Sequence, residues 1–138
     1  FGEAMGALYA YKYGVSSLSI RIGNVDHRPA DIRRLAIWIS PRDLAQLVRI
    51  GLESPDIHFE IVYGMSDNKR TWWDNGNAMR LGYEPQDKSE DWAAEILAYG
   101  PNDTDDAAAE TYQGGTFVSL EEGGGGKPNL GYNVLFSF

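Results

Sequence analysis

Apolar and polar residues alternate along this chain with two different periods, and the places where the period changes mark its elements. From Gly2 to Tyr13, Met5, Leu8, Tyr9 and Lys12 recur at the i, i+3, i+4, i+7 spacing of a helix. Gly14 follows as the natural residue past a helix end. No capping residue precedes the stretch, so it reads as the inside of a helix whose beginning lies before Phe1. Between Val15 and Ile22 the period drops to two: Leu18, Ile20 and Ile22 share one face and Ser17, Ser19 and Arg21 the other, which predicts a strand. It runs into Gly23 and a polar loop, Asn24-Val25-Asp26-His27-Arg28-Pro29, after which Asp31 is placed to cap a short helical stretch through Arg33, Arg34 and Leu35.

Ser40-Pro41-Arg42-Asp43 is a helix start, with serine at the cap, proline at the first helical position and an acid three residues after the cap. Leu44, Leu47, Val48 and Gly51 are its predicted inward face, and Pro55 lies beyond its end. Ile57, Phe59 and Ile61 alternate in a second strand that ends at Gly64 and the polar Ser66-Asp67-Asn68. Strand, helix and strand, with a further helix in front, predict an α/β fold with a parallel sheet. Trp72-Trp73-Asp74-Asn75 opens a short helix that ends at Leu81-Gly82, Tyr83-Glu84-Pro85 makes the exit, and Ser89 caps a last helix with Trp92, Ala93, Ile96 and Leu97 as its apolar face. Beyond it, residues 101–110 read as an acidic, solvated connection, 114–118 as an extended piece, 123–126 as a flexible four-glycine break and 132–138 as a β-prone apolar tail.

Composition narrows the partners. With 43% hydrophobic and 12% aromatic residues in 138, the chain has material for a real core. Twenty acidic against twelve basic residues give a net charge of -8, which repels a phosphate backbone, so nucleic acid is not an expected partner. There is no cysteine, hence no disulfide framework and no thiolate metal site, as suits a cytoplasmic protein. No apolar run approaches the roughly 18 residues of a membrane span, and no charged-then-apolar leader opens the chain, so no membrane association is expected.

The candidate chemistry gathers after the first strand, where open α/β sheets hold ligands beyond the carboxyl ends of their strands. Arg33 offers a planar fork that matches a carboxylate bidentately; the alternative is a surface arginine paired with one of the many acids. Asn24 has the donor and acceptor for ligand hydroxyls, and equally suits a turn. His27 lies in the same loop, within reach of a ligand, whereas His58 alternates outward on its strand as a surface residue. The two histidines have no acids at metal-ligand spacing, so no metal site is predicted. The glycine run lacks the Gly-Lys-Ser/Thr ending of a phosphate loop. Trp72-Trp73 has the faces to stack on a sugar, although packing is the commoner use of large aromatics.

Phe1-Gly2-Glu3, Tyr11-Lys12-Tyr13-Gly14 and Arg21-Ile22-Gly23-Asn24 together resemble the segment that follows the Tyr-x-x-x-Lys motif of extended short-chain dehydrogenases, in the epimerase/dehydratase superfamily. More narrowly, these residues with Arg33, Trp38, Ser40, Asp43, Tyr63-Gly64-Met65-Ser66, Trp72-Trp73-Asp74-Asn75, Leu81-Gly82-Tyr83-Glu84-Pro85 and Gln113-Gly114-Gly115-Thr116-Phe117-Val118 are similar to NAD-dependent uronate dehydrogenases. The resemblance covers residues 1–118 and leaves 119–138 as a glycine-rich linker and tail of unknown role. It implies the C-terminal part of a Rossmann-like parallel sheet with flanking helices, the dinucleotide-binding N-terminal half being absent. It further implies oxidation of galacturonate or glucuronate to an aldarolactone with hydride passed to NAD. Arg33 falls where the family holds the sugar carboxylate, Asn24 where the family has a substrate-contacting serine, and Val25 where the family touches the nicotinamide. The glycine-rich turn and the Tyr-x-x-x-Lys pair are not in this sequence, so no catalytic residue is assigned and this polypeptide alone is not expected to bind NAD tightly or turn over. Apolar surface left by the missing strands is expected to be met by self-association or a complementary half. The alternatives are a non-catalytic remnant that serves as a binding or structural domain and, more weakly, a fragment of a sugar-nucleotide epimerase or dehydratase.

Overall fold

The computed structural model describes residues 1–99. The expectations for 101–110, 114–118, 123–126 and 132–138 lie outside the described residues.

The first helix, α1 (Gly2–Tyr13), closes at Gly14, whose φ of 68° is the left-handed conformation that glycine adopts without strain. Its inward face differs from the predicted one. Leu8 and Tyr9 are exposed, and α1 approaches the sheet through Gly6 and the fully buried Ala10. A methyl group on Gly6 would stand 2.6 Å from Ser17 Oγ, so a close helix-on-strand approach has selected small residues over the larger apolar ones.

Two parallel strands form the main sheet: β1 (Ser17–Ile22) pairs with β4 (Phe59–Gly64) from Ser17 opposite Phe59 to Ile22 opposite Gly64. This is the expected βαβ unit, with the crossover helix α3 (Pro41–Glu53) between the strands. Ser40 caps α3, its Oγ accepting from the Asp43 N–H at 3.1 Å. A methyl on Gly51 would lie 2.9 Å from Leu18 Cδ2, so α3 rests closely on β1. Ile39, Leu47, Val62, Ala78 and Tyr83 make the buried core, with Leu18, Ile20, Leu44, Ile50 and Leu81 packed against it. Val48, expected inward, is exposed on the flank of α3, and Ile22 is exposed at the strand end.

The polar loop contains a feature too short for any period to reveal. β2 (Asn24–Val25) pairs in parallel with β3 (Trp38–Ile39), which directly follows the one-turn helix α2 (Arg34–Ile37). Asp31 caps that turn as expected, its Oδ1 accepting from the Arg34 N–H at 2.8 Å.

Among the described residues β4 has one strand neighbour, β1. Its other edge is satisfied by two asparagines. Asn75 exchanges two bonds with Tyr63, Oδ1 accepting from its N–H at 3.0 Å and Nδ2 donating to its carbonyl at 2.9 Å. Asn77 Nδ2 donates to the Ile61 carbonyl at 2.7 Å. Side-chain amides thus occupy backbone groups that an unprotected edge would offer to another chain. Asn75 immediately precedes α4 (Gly76–Arg80), which is shorter than predicted because the Asp74 carboxylate turns the chain onto the Gly76 N–H at 2.8 Å. α5 (Glu90–Ala98) completes the described chain. Ser89 stands at its start but does not cap it; its Oγ donates to the Leu35 carbonyl at 2.8 Å and ties α5 to α2.

Candidate functional site

The site residues predicted from sequence, Asn24, Val25 and Arg33, all follow the C-terminal end of β1, and of these Arg33 meets an aromatic cluster. Gly23, the last residue before β2, sits against Trp73: a methyl there would be 2.8 Å from Trp73 Cη2 and 2.7 Å from Ile37 Cβ. Trp73 stacks on Tyr63, with centroids 4.7 Å apart and planes 13° from parallel, and meets Trp72 edge-on at 6.5 Å and 89°. Over the Trp72 ring lies the guanidinium of Arg33, 5.0 Å from the centroid. Trp72 is exposed at 43%, so part of its surface faces solvent beside that guanidinium.

Of the adjacent arginines, Arg34 forms the ion pair with Asp31, which is nearly buried. Asp31 thereby caps α2 and holds Arg34 from one carboxylate, while the neighbouring Arg33 side chain lies on Trp72.

Asn24 and Val25 are neighbours on β2 and so point to opposite faces. Asn24 is half-buried, and its Oδ1 is buried with no hydrogen-bond partner among the described residues, which is costly for an amide carbonyl. Val25 is exposed at 40% and opens onto an apolar groove of about 470 Å³ along α3, with Pro41, Leu44, Val48 and Leu52. His27 is exposed and borders a separate cleft of about 410 Å³ with Trp38, Arg42, Asp87 and Trp92. His58 is exposed on β4's approach and packs edge-on against the Tyr11 ring at 4.9 Å. Among the described residues no cluster of three or more histidine, aspartate or glutamate side chains is arranged to hold a metal ion. No helix among them is long and apolar enough to cross a membrane.

Two sets of supporting residues were invisible to sequence patterns. Behind the aromatic pair, Arg21 lies 5.7 Å from the Tyr63 ring centroid and donates to its hydroxyl at 3.3 Å. Glu3 of α1 grips Arg21 bidentately at 2.6 and 2.9 Å, and that bond holds the Glu3 carboxyl below its usual range. The second set is centred on Asp43. Its fully buried carboxylate accepts from Ser66 Oγ at 2.6 Å, from the Gln86 N–H at 2.8 Å and from the Asp87 N–H at 3.1 Å. Asp87 in turn accepts from Ser40 Oγ at 2.6 Å and from Arg42 at 2.5 Å, which lowers its carboxyl, the serine bond first and the arginine second. This network fixes the start of α3 to the loop after β4 and to residues 86–87. Only the position of Asp43, three residues after the cap, hinted at it.

No family model matches the sequence. The chain is 43% identical over 119 residues to the uronate dehydrogenase of Pseudomonas syringae pv. tomato, an alignment that covers 86% of this chain and 43% of that protein. The solved glucuronic acid dehydrogenase of Chromohalobacter salexigens superposes with a TM-score of 0.80 at 39% identity, over 86% of this chain and 45% of that one. A mutant uronate dehydrogenase of Agrobacterium tumefaciens, solved in complex with NAD, superposes at 0.79 with 33% identity and the same coverages. The parallel α/β arrangement described above is therefore that of Rossmann-fold dehydrogenases, and the chain spans less than half the length of the relatives it matches.

Proposed function

We propose that this chain, a homologue of the uronate dehydrogenases over 86% of its own length and 43% of theirs, supplies the wall of a sugar-oxidising site that holds the substrate's carboxylate. The substrate is a uronic acid, galacturonate or glucuronate, oxidised in the complete enzyme at its anomeric carbon to an aldarolactone while hydride passes to NAD. Arg33 binds the carboxylate through two parallel N–H···O bonds, and Asn24 hydrogen-bonds a ring hydroxyl through its side-chain amide. The observation that carries the reading is the seat of Arg33: its guanidinium lies 5.0 Å above the half-exposed Trp72 ring, in the loop that follows β1 and β2.

The fit to NAD is partial. Val25 gives an exposed apolar contact suited to one face of a nicotinamide, but these 138 residues contain neither a G-x-G-x-x-G turn for the pyrophosphate nor a Tyr-x-x-x-Lys pair. No catalytic step is assigned to this chain's own residues. We therefore expect the polypeptide to bind uronate without oxidising it, and to gain activity only with a complementary dinucleotide-binding half, from the same or another chain.

Calorimetric titration with galacturonate tests the proposal. Binding that is abolished by Arg33→Ala, with no NADH formed when NAD is added, is the expected result. Galacturonate affinity unchanged by Arg33→Ala would overturn it.

A further inference from the structure

We propose that Trp72 is a positioning residue for Arg33 and so sets the selectivity for a charged over a neutral sugar, an inference that rests on the carboxylate role given to Arg33 above. A long arginine side chain at a loop position has many rotamers, and freezing them for a ligand is a cost met at binding unless the fold has already done so. Here the guanidinium plane is given a seat, the Trp72 ring at 5.0 Å. The seat is itself fixed. Trp72 stands at 89° to Trp73, and Trp73 stacks nearly parallel on Tyr63 at 13° and 4.7 Å. Tyr63 is in turn held by Arg21, 5.7 Å from its ring centroid and bonded to its hydroxyl, and Glu3 clamps Arg21 with two bonds of 2.6 and 2.9 Å. Four elements of the chain thereby meet in one column: α1 through Glu3, β1 through Arg21, β4 through Tyr63 and the loop before α4 through the tryptophans.

The column has a chemical consequence. A cation held over an indole face is stabilised by the ring and stays charged. A carboxylate gains from both the charge and the preset orientation. A neutral hexose gains from neither.

The test compares galacturonate with galactose by calorimetry on the intact protein and on Trp72→Leu, Trp72→Phe and Arg33→Ala. Trp72→Leu should weaken galacturonate about three- to tenfold, in line with a desolvated cation–π contact, and leave galactose unchanged. Trp72→Phe, which keeps an aromatic face, should recover most of the loss, a rescue that a merely space-filling role would not require. Fluorescence gives a second readout: Trp72 lies beneath Arg33, so the emission change on adding galacturonate should vanish in Trp72→Phe. If Arg33→Ala loses galacturonate binding while Trp72→Leu retains it in full, the positioning role is wrong and the carboxylate role stands. If Arg33→Ala binds galacturonate normally, both are wrong. An emission change that persists in Trp72→Phe would also overturn the positioning role.

Discussion

Replacing Asp43 by alanine is the perturbation whose size the structure determines best. Its carboxylate is fully buried and accepts three hydrogen bonds, from Ser66 Oγ and from the backbone N–H groups of Gln86 and Asp87. Each donor left without an acceptor in a buried setting costs about 1–3 kcal/mol. The Gln86 and Asp87 bonds are only part-buried, so water recovers some of their loss, and the expected total is about 3–5 kcal/mol. An acid is also lost from the first turn of α3, worth about 0.3–1 kcal/mol against the helix dipole. Asp43→Asn tests the same geometry with almost no change in volume: one oxygen still accepts, but the new amide presents donors to donors, so a loss of about 2–3 kcal/mol is expected. Urea unfolding followed by circular dichroism, with the slope compared between variants, reads these values. A loss below about 1 kcal/mol for the alanine variant, the ordinary value for an average substitution, would show that the Asp43 network does not tie α3 to residues 86–87.

Three further expectations follow from the same packing. Gly23→Ala would set a methyl 2.7 Å from Ile37 Cβ and 2.8 Å from both the Ile37 carbonyl oxygen and Trp73 Cη2; overpacking of about 1–3 kcal/mol in urea unfolding is expected, and an unchanged midpoint would contradict the close approach. Asn75→Ala strips both Tyr63 backbone groups of their partners, so the Tyr63 amide should exchange with deuterium markedly faster, whereas unchanged protection would mean that the edge of β4 is covered by something else. Stability should fall in acid. The carboxyls of Asp87, Glu60 and Glu3 are lowered in the folded state, chiefly by hydrogen bonds from Ser40, Asn77 and Arg21 respectively. A lowered folded pKa contributes stability that is present above the unfolded value and lost as pH falls through the folded one, so the urea midpoint should hold to about pH 5 and decline below about pH 4. A midpoint that rises on acidification would refute these pairings.

What could be read from the chain was whatever its neighbours in sequence dictate. Gly14 ends α1, Ser40-Pro41 opens α3 and the alternation in β1 and β4 gives a parallel βαβ unit, because caps and periods are local. The pairing of β2 with β3 was not legible, since two residues cannot display a period. Neither was the direction of the Ser89 hydroxyl, which answers to Leu35, far away in sequence. The inward face of α1 was misread because closeness of approach at Gly6 and Ala10, rather than apolar bulk, decides it. Of the tryptophan pair, Trp73 packs on Tyr63, and Trp72, partly exposed, lies beneath Arg33. Arg33 and Asn24 were picked out by their chemistry in the loop after the first strand, and Val25 by family resemblance alone. Sequence offered no sign of the column from Glu3 to Trp72 that stands behind Arg33.

The most direct test of the central claim is the affinity for galacturonate measured by calorimetry on the protein and on Arg33→Ala. A carboxylate gripped by the Arg33 fork predicts binding that the variant loses by tenfold or more, the order expected for a charge-assisted pair. Equal affinities in the two proteins would contradict it.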